Sequence, residues 1–318
     1  MKDFLLKAKA VMTGHAVADA LGVPVEFNMR ERLDDNPVTD ITGYGTHNVP
    51  KGAWSDDTSM SLCVLESLSK GKIDYDDTMI NFGKWYYNGE FTPTDKMFDV
   101  GNTCSEAIFR YHSQKMPFNE CGLSDGYSNG NGSLMRIHPT TLFLIYSNVK
   151  KASLEHIKII GDTSALTHAH PRSRLACELY SFILWELIEK PCKKSVEKGL
   201  RNAEKFVTRY SGELKEYGEL DTFRRLFDGV EKLERRDIRS GGYVVHTLEA
   251  AIWCLLTTDS YRECVLKAVN LGDDTDTTAA VAGGLAGALY GYDAIPEEWR
   301  NALIRREYIE GLCDKAFK

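Results

Sequence analysis

The sequence contains no long apolar run, no paired-cysteine motif and no excess of positive charge. None of its 318 residues belong to a stretch of about 20 apolar residues, the length that a transmembrane helix needs. The N-terminal segment lacks the apolar core of a secretory signal, because His15 and Asp19 interrupt its only candidate. A formal net charge of −7 argues against a general nucleic-acid-binding protein, which usually presents a basic surface.

The eight cysteines are scattered, and none of them forms a CxxC pair. Several fall within apolar patterns of helical spacing, where a free thiol acts as a small buried apolar group: Cys63, Cys177, Cys254 and Cys264. This use of cysteine favours a reducing setting, and we expect a cytoplasmic location.

The sequence also lacks a run of alternating apolar and polar residues typical of strands, and it has no internal repeat. Apolar residues recur at helical spacing instead, for example at Leu175, Leu179, Ile183 and Leu187. At 43% hydrophobic and 27% charged residues, the composition is that of an ordinary globular protein with ample material for a core. We therefore predict a single, nearly all-α domain over residues 1–318.

The patterns also make local predictions. Residues 28–52 are rich in Asp, Asn, Pro and Gly, which is typical of a loop. The apolar residues from Phe223 to Leu233 are spaced as in one amphipathic helix, and a further helix is expected around Trp299 to Ile309. Arg136 is expected to be a buried ion-pair partner.

The most distinctive stretch runs from Gly272 to Gly291 and reads GDDTDTTAAVAGGLAGALYG. Asp and Thr are good N-cap residues, and the Ala-rich continuation favours a helix despite its glycines. The carboxylates of Asp274 and Asp276, with the hydroxyl of Thr277, would offer three hard oxygens on one turn, as Mg²⁺ or Mn²⁺ prefers. A helix cap alone would explain one or two acids, whereas three acids within four residues need a counter-charge.

A second group of similar chemistry, Ser55-Asp56-Asp57-Thr58, also precedes an apolar periodic segment. Short motifs match by chance, so either group alone favours a helix cap over a metal site by roughly two to one. Two groups of the same chemistry in one chain favour a shared acidic cavity that holds two ions, as in dinuclear hydrolytic sites.

Five ordered blocks make the chain resemble the ADP-ribosylglycohydrolase family. They are GHAVADALGVPVEF, GAWSDDTSM, GNGSLMRIHP, LTHAHP and GDDTDTTAAVAGGLAGALYG, and GGYVVHTLEAAIW fits between the last two. The resemblance covers roughly Ala10 to Tyr292 and implies an orthogonal helical bundle with a dinuclear metal site. The chain departs from the family at Ala18, where glycine is more usual, and at Asp273, which is interpreted as an acid supporting the site.

The resemblance assigns roles to individual residues. Two Mg²⁺ or Mn²⁺ ions would be bound by Ser55, Asp56, Asp57, Asp274, Asp276 and Thr277. Glu26, on a loop over the scissile bond, or one of the cluster aspartates, Asp56 and Asp57, would be the general base. Asp19 would support the site. ADP-ribose would be bound by Gly130, Asn131, Gly132, Ser133, His168, Gly242 and Tyr243.

The implied activity is metal-dependent hydrolysis of the C1″ glycosidic bond of an ADP-ribosylated protein or small acceptor, which releases ADP-ribose. The expected partner is thus an ADP-ribosylated acceptor, with no membrane or nucleic acid, and the chain is expected to be a monomer. Two alternatives remain open, a catalytically silent ADP-ribose-binding module and a dinuclear nucleotide phosphoesterase. The sequence does not identify the acceptor linkage, the preferred ion or the general base.

Overall fold

A computed structural model of the protein describes residues 2–147 and 152–318. These residues form sixteen α-helices, connected by turns and short 3₁₀ segments. The helices are α1 (Lys2–Gly22), α2 (Arg30–Asp35), α3 (Asp56–Leu68), α4 (Tyr75–Asn88), α5 (Asn102–His112), α6 (Phe118–Cys121), α7 (His138–Tyr146), α8 (Leu154–Ala165), α9 (Pro171–Glu189), α10 (Lys193–Arg209), α11 (Arg224–Phe227), α12 (Val244–Leu256), α13 (Tyr261–Val269), α14 (Thr275–Tyr290), α15 (Glu297–Ala302) and α16 (Arg306–Ala316).

Extended structure in the described residues is limited to isolated bridges, such as the antiparallel pairing of Gly130 with Tyr243. The predicted all-α helical fold is therefore confirmed. Within the same residues, no helix is both long and apolar enough to cross a membrane.

The centre of the fold is the antiparallel pair of α1 and α14, and both helices are buried on nearly all sides. A helix that is surrounded by protein carries small and apolar residues all round, which explains the Ala- and Gly-rich sequence of α14. A Cβ atom on Gly283 would lie only 2.4 Å from the Cβ of Ala18. The methyl group of Ala18 is thus accommodated because Gly283 opposite it has none.

The antiparallel pairing places the C-terminal end of α1 beside the N-terminal end of α14. The two backbones approach closely there, since a Cβ on Gly22 would lie 2.3 Å from the Cα of Asp276. Helix α3 begins next to Asp19 of α1 and packs against both central helices. Two helix N-termini, each with acidic residues in its first turn, therefore meet at one end of the bundle.

Three local predictions were wrong. The loop predicted over residues 28–52 contains α2, whose Arg30 donates hydrogen bonds to the carbonyl groups of Leu271, Arg235 and Ile238. The stretch Phe223–Leu233 is not one helix, because Gly229 has φ 95° and interrupts it. The expected C-terminal helix is divided into α15 and α16 at Arg305, which has φ 53°.

Arg136 is fully buried, but no carboxylate in the described part of the chain forms an ion pair with it. Its guanidinium donates to the carbonyl of Thr163 at 3.2 Å and to the hydroxyl of Thr167 at 2.8 Å, and it lies 4.8 Å from the ring centroid of Phe82. Hydrogen bonds and an aromatic face replace the expected counter-charge.

Candidate active site

Asp19 connects α1 to the acidic start of α3. Its carboxylate accepts hydrogen bonds from the backbone N–H of Ser55 at 2.9 Å, from the N–H of Thr58 at 3.1 Å and from the Thr58 hydroxyl at 2.6 Å. Ser55 is the N-cap of the same helix, and its side chain accepts from the N–H of Asp57. The first turn of α3 is therefore capped twice, and the expected supporting role of Asp19 has a structural basis.

The second acidic group is positioned by the turn before α14. Asp273 has φ 59°, and its backbone is bonded to the neighbouring loop through its N–H to Asn28 and its C=O to Phe27. The side chain of Asp273 is exposed and does not line the cavity described below. The carboxylate of Asp273 therefore does not act as the expected acid supporting the site, and what this residue contributes is its backbone, which sets the turn. Asp274 is the N-cap residue that follows, and its N–H donates to the carbonyl of Ser240.

The two acidic groups form one carboxylate cluster. A donor atom from each of Asp19, Asp57 and Asp276 lies within 4.8 Å of the other two, and the same holds for Glu26, Asp274 and Asp276. The hydroxyl of Thr277 donates to Asp57 Oδ2 at 3.2 Å, so that α14 and α3 are directly connected.

This cluster fits a site for hard cations. Three buried carboxylate oxygens have no hydrogen-bond partner among the described residues: Asp57 Oδ1, Asp274 Oδ1 and Asp276 Oδ2. The pKa of Asp56, Asp57 and Asp276 is raised well above the usual value, mainly by burial and further by the neighbouring acids. Buried carboxylates in such numbers need either protons or cations, and their unpartnered oxygens are the ligands that Mg²⁺ and Mn²⁺ prefer.

Glu26 also makes a contact outside the cluster, with His47, that the sequence did not reveal. Its carboxylate forms a short hydrogen bond with Nε2 of His47, and a carboxylate oxygen of Asp99 completes a group whose donor atoms lie within 4.8 Å of one another. Burial raises the pKa of Glu26 to about 7, against the opposing effect of the hydrogen bond from His47. The same hydrogen bond raises the pKa of His47. Glu26 is only 5% exposed, so it is not a solvated loop acid.

A cavity of about 340 Å³ opens above the cluster. Its walls include Glu26, Asp56, Asp99, Asp274 and Thr277 on the acidic side. The predicted substrate-binding segments form a second wall, the substrate wall, which adjoins the acidic one because a Cβ on Gly242 would lie 3.3 Å from Asp274 Oδ2. Its residues are Gly130, Asn131, Gly132, His168 and Gly242, together with Cys104 and Met135.

Asn131 connects the substrate wall to the acidic wall. Its side-chain amide donates to Asp274 Oδ2 at 2.8 Å and to the hydroxyl of Thr247 at 3.0 Å, and its backbone N–H donates to the carbonyl of Gly242. His168 is buried, and burial lowers its pKa to about 3, so the ring is neutral at physiological pH. Its Nδ1 is paired with the hydroxyl of Thr167 at 2.8 Å.

Two predicted substrate-binding residues have different settings. The Ser133 hydroxyl is fully buried behind the wall, where it accepts a hydrogen bond from Ser164 at 2.8 Å. Tyr243 lies beyond the residues that line the cavity and is half-buried, with the guanidinium of Arg172 5.8 Å from its ring centroid. Sequence reasoning missed His47 and Asp99, because both lie in irregular segments without periodicity or a matching motif.

Comparison with known proteins identifies the family and the fold. The ADP-ribosylglycohydrolase family model matches residues 1–318. The chain is 34% identical to "ADP-ribosylarginine hydrolase Tri1" of Serratia proteamaculans, over 99% of this chain and 80% of that protein. It is 30% identical to "ADP-ribosyl-[dinitrogen reductase] glycohydrolase" of Rhodospirillum rubrum, over 93% of this chain and 90% of the relative.

Among solved structures, an "ADP-ribosylglycohydrolase-related protein complex" aligns with a TM-score of 0.80 and 30% identity. The alignment covers 100% of this chain and 99% of the other. The family match over the whole chain, its relatives and the shared fold agree with the paired acidic helix N-termini: the chain belongs to the ADP-ribosylglycohydrolase family.

Proposed function

We propose that this ADP-ribosylglycohydrolase cleaves the N-glycosidic bond between C1″ of ADP-ribose and an arginine side chain of its acceptor. The observation that carries the choice of arginine is the pair of acids at the cavity mouth, Glu26 and Asp99, which lie above the carboxylate cluster. A guanidinium is cationic and planar, and carboxylates are its best partners. A relative with 34% identity is named as an ADP-ribosylarginine hydrolase, which supports the same acceptor.

The donor set supports two hard divalent cations, Mg²⁺ or Mn²⁺. The residues that would hold them are Ser55, Asp56, Asp57, Asp274, Asp276 and Thr277, all of which offer oxygen. When bound, the ions supply positive charge that orients the ribose hydroxyls and stabilises developing negative charge. Asn131 and Thr277 fix the directions of two of these carboxylates, through Asp274 Oδ2 and Asp57 Oδ2.

Glu26 is the proposed general base. Hydrolysis transfers the oxygen of water to C1″, breaks the C1″–N bond and leaves a proton for a nearby base, while the departing nitrogen gains one. A base acts best when its pKa is near the working pH, and burial brings the pKa of Glu26 to about 7. The hydrogen bond to His47 fixes the direction of the carboxylate over the cavity. Asp56 and Asp57 lie below it and are the remaining candidates.

The substrate wall is proposed to bind the nucleotide. Gly130 and Gly132 line the cavity without side chains, so an anionic diphosphate can approach their backbone closely, whereas the N–H of Asn131 between them is already bonded to the carbonyl of Gly242. Neutral His168 lies beside them and is suited to a ribose hydroxyl. Gly242 and Tyr243 extend this wall towards the expected adenosine side.

The proposal is tested with a panel of defined ADP-ribosyl linkages on arginine, serine and an acetyl ester, assayed with Mg²⁺ or Mn²⁺ and with EDTA. We expect release of intact ADP-ribose from the arginine linkage, and loss of turnover in EDTA. Release of AMP or phosphate would indicate a phosphoesterase instead. Preference for another linkage would refute the arginine assignment.

A thermal shift experiment tests the cations independently of activity. Added Mn²⁺ should raise the melting temperature of the wild type, because a ligand that binds only the folded state stabilises it. Asp57→Ala should abolish most of this shift, while Asp228→Ala, at an exposed acid outside the site, should retain it. Equal shifts of the melting temperature in all three proteins would show that the ions bind outside this site.

A further inference from the structure

Three large apolar side chains project into solvent from the segment that carries Glu26. Phe27, Met29 and Tyr44 are 67%, 68% and 64% exposed. The other large apolar residues that are exposed in the described part of the chain lie outside this segment, on other helices or, for one, in a loop: Leu6, Ile80, Tyr87, Phe109, Tyr127 and Tyr308. We call Phe27, Met29 and Tyr44 the apolar rim.

The apolar rim is next to the mouth of the cavity. Phe27 lines the cavity directly, and its ring centroid is 6.1 Å from that of His47. The turn that follows Tyr44 packs on the loop of Glu26, since a Cβ on Gly45 would lie 2.0 Å from the carbonyl oxygen of Pro24. The hydroxyl of Thr46 also donates to the carbonyl of Glu26 at 2.8 Å. The rim and the proposed base therefore belong to one packed unit.

The backbone holds two of these rings outward at a conformational cost. Phe27 has φ 62° and Tyr44 has φ 65°, a region that bulky side chains rarely adopt. Strain of this kind is retained where the surrounding structure imposes it, and it is commonly found at functional sites. An exposed aromatic ring on a strained backbone contributes little to folding, so its role is to contact another molecule.

We infer that the apolar rim binds the polypeptide surface around an ADP-ribosylated arginine, so that the preferred substrate is a modified protein rather than a free ADP-ribosylated amino acid. This inference rests on the proposed function. The acidic mouth, with Glu26 and Asp99, matches the charge of the modified side chain, and the apolar side chains beside it match the apolar contacts of a protein surface. Exposed Phe, Tyr and Met residues next to a polar centre are typical of protein interfaces.

The test compares two substrates, a folded protein that carries ADP-ribosyl-arginine and free ADP-ribosyl-arginine. The variants are Tyr44→Asn and Met29→Ser, which lie outside the cavity lining. Tyr44 has φ 65° and ψ −125°, so Met29→Ser, at a residue with an ordinary extended backbone of φ −65° and ψ 148°, separates loss of the side chain from any effect on the backbone. Tyr87→Asn is the matched control, because it removes an exposed ring from α4 that does not line the cavity.

We expect kcat/KM for the protein substrate to fall by at least about fivefold in each rim variant, as for residues that anchor an interface. The control should be unchanged, and so should kcat/KM for free ADP-ribosyl-arginine and the affinity for ADP-ribose. An equal fall with both substrates, or no fall with the protein, would overturn the inference. Self-association of the wild type that the rim variants abolish would identify a second copy of the chain as the occupant and would also overturn it.

The proposed function fails in a different way. If the wild type releases ADP-ribose from neither arginine substrate, the acceptor assignment is wrong whatever the rim does. If it acts only on the protein substrate, the affinity for ADP-ribose serves as the reference that the rim variants should leave unchanged.

Discussion

Asp19 offers the sharpest test of how the two acidic helix ends are held. Its carboxylate is fully buried and receives the N–H groups of Ser55 and Thr58 and the Thr58 hydroxyl. In Asp19→Asn, one oxygen becomes an NH₂ group, so the backbone N–H of Thr58 faces another donor. A buried unpaired donor costs about 1–3 kcal/mol, and the remaining bonds lose their charge.

The loss is partly offset in the metal-free protein, because the substitution removes one negative charge from a crowded cluster. We therefore expect the free energy of unfolding to fall by about 2 kcal/mol without cations. With Mn²⁺ the repulsion is already neutralised, so the difference from the wild type should widen. Affinity for Mn²⁺ should also fall, since the start of α3 carries Asp56 and Asp57.

Urea unfolding with and without Mn²⁺, together with calorimetric titration of Mn²⁺, measures both effects. Asp74→Asn is the matched control, because Asp74 is the N-cap of α4 at the surface and Asn is an equally good N-cap. The control should change stability by less than about 0.5 kcal/mol. If Asp19→Asn matches the control in stability and in Mn²⁺ affinity, Asp19 does not hold α3 in place.

Four further outcomes are expected. Asp276→Asn should abolish turnover and Mn²⁺ binding in a protein with unchanged circular dichroism, because one Asp276 oxygen has no hydrogen-bond partner among the described residues; an active variant would contradict the metal assignment. Glu26→Gln should lower the single-turnover rate by a factor of about 10²–10⁴ with nearly unchanged affinity for ADP-ribose. A near-normal rate would indicate that Asp56 or Asp57 is the general base. His168→Ala and Tyr243→Ala should mainly weaken ADP-ribose binding in calorimetry, whereas a pure rate effect would exclude that role. The pKa of Glu26 is raised by burial from 4.5 to about 7, so the unfolded chain ionises first as pH rises. The free energy of unfolding of the metal-free protein should thus fall between these pH values by up to roughly 3 kcal/mol, as urea titrations at pH 4.5 and 7.5 would show, and a rise would refute it.

The sequence predicted the parts of the site that depend on local chemistry. Asp and Thr before an Ala-rich segment start a helix wherever the segment lies, so the N-termini of α3 and α14 could be anticipated. The all-α class also followed from helical spacing. That the two ends meet was expected from their shared chemistry and from the family resemblance. No local pattern indicates the contact itself, because Thr277 and Asp57 are 220 positions apart.

The remaining features depend on tertiary contacts that leave no pattern. His47 is brought to Glu26 by the packing of one irregular turn on another, and neither turn has a period. Helix α2 is short, and its Arg30 reaches carbonyl groups more than 200 positions away, so composition alone indicated a loop. The converse error also occurred: apolar spacing predicted one helix through Gly229, but the positive φ of that residue interrupts the helix.

The close packing of α1 on α14 has a consequence for synthesis of the chain. A growing polypeptide exposes Asp19, Ser55, Asp56 and Asp57 early, but Asp274, Asp276 and Thr277 only after most of the domain has left the ribosome. Helix α1 is meanwhile without its main partner, with a surface of small apolar residues that is fully covered only in the finished fold. The proposed catalytic centre is thus among the last features that can form during synthesis, and chains that end before α14 are expected to lack hydrolytic activity. Two separately expressed pieces, divided between α12 and α13, should regain function only when mixed.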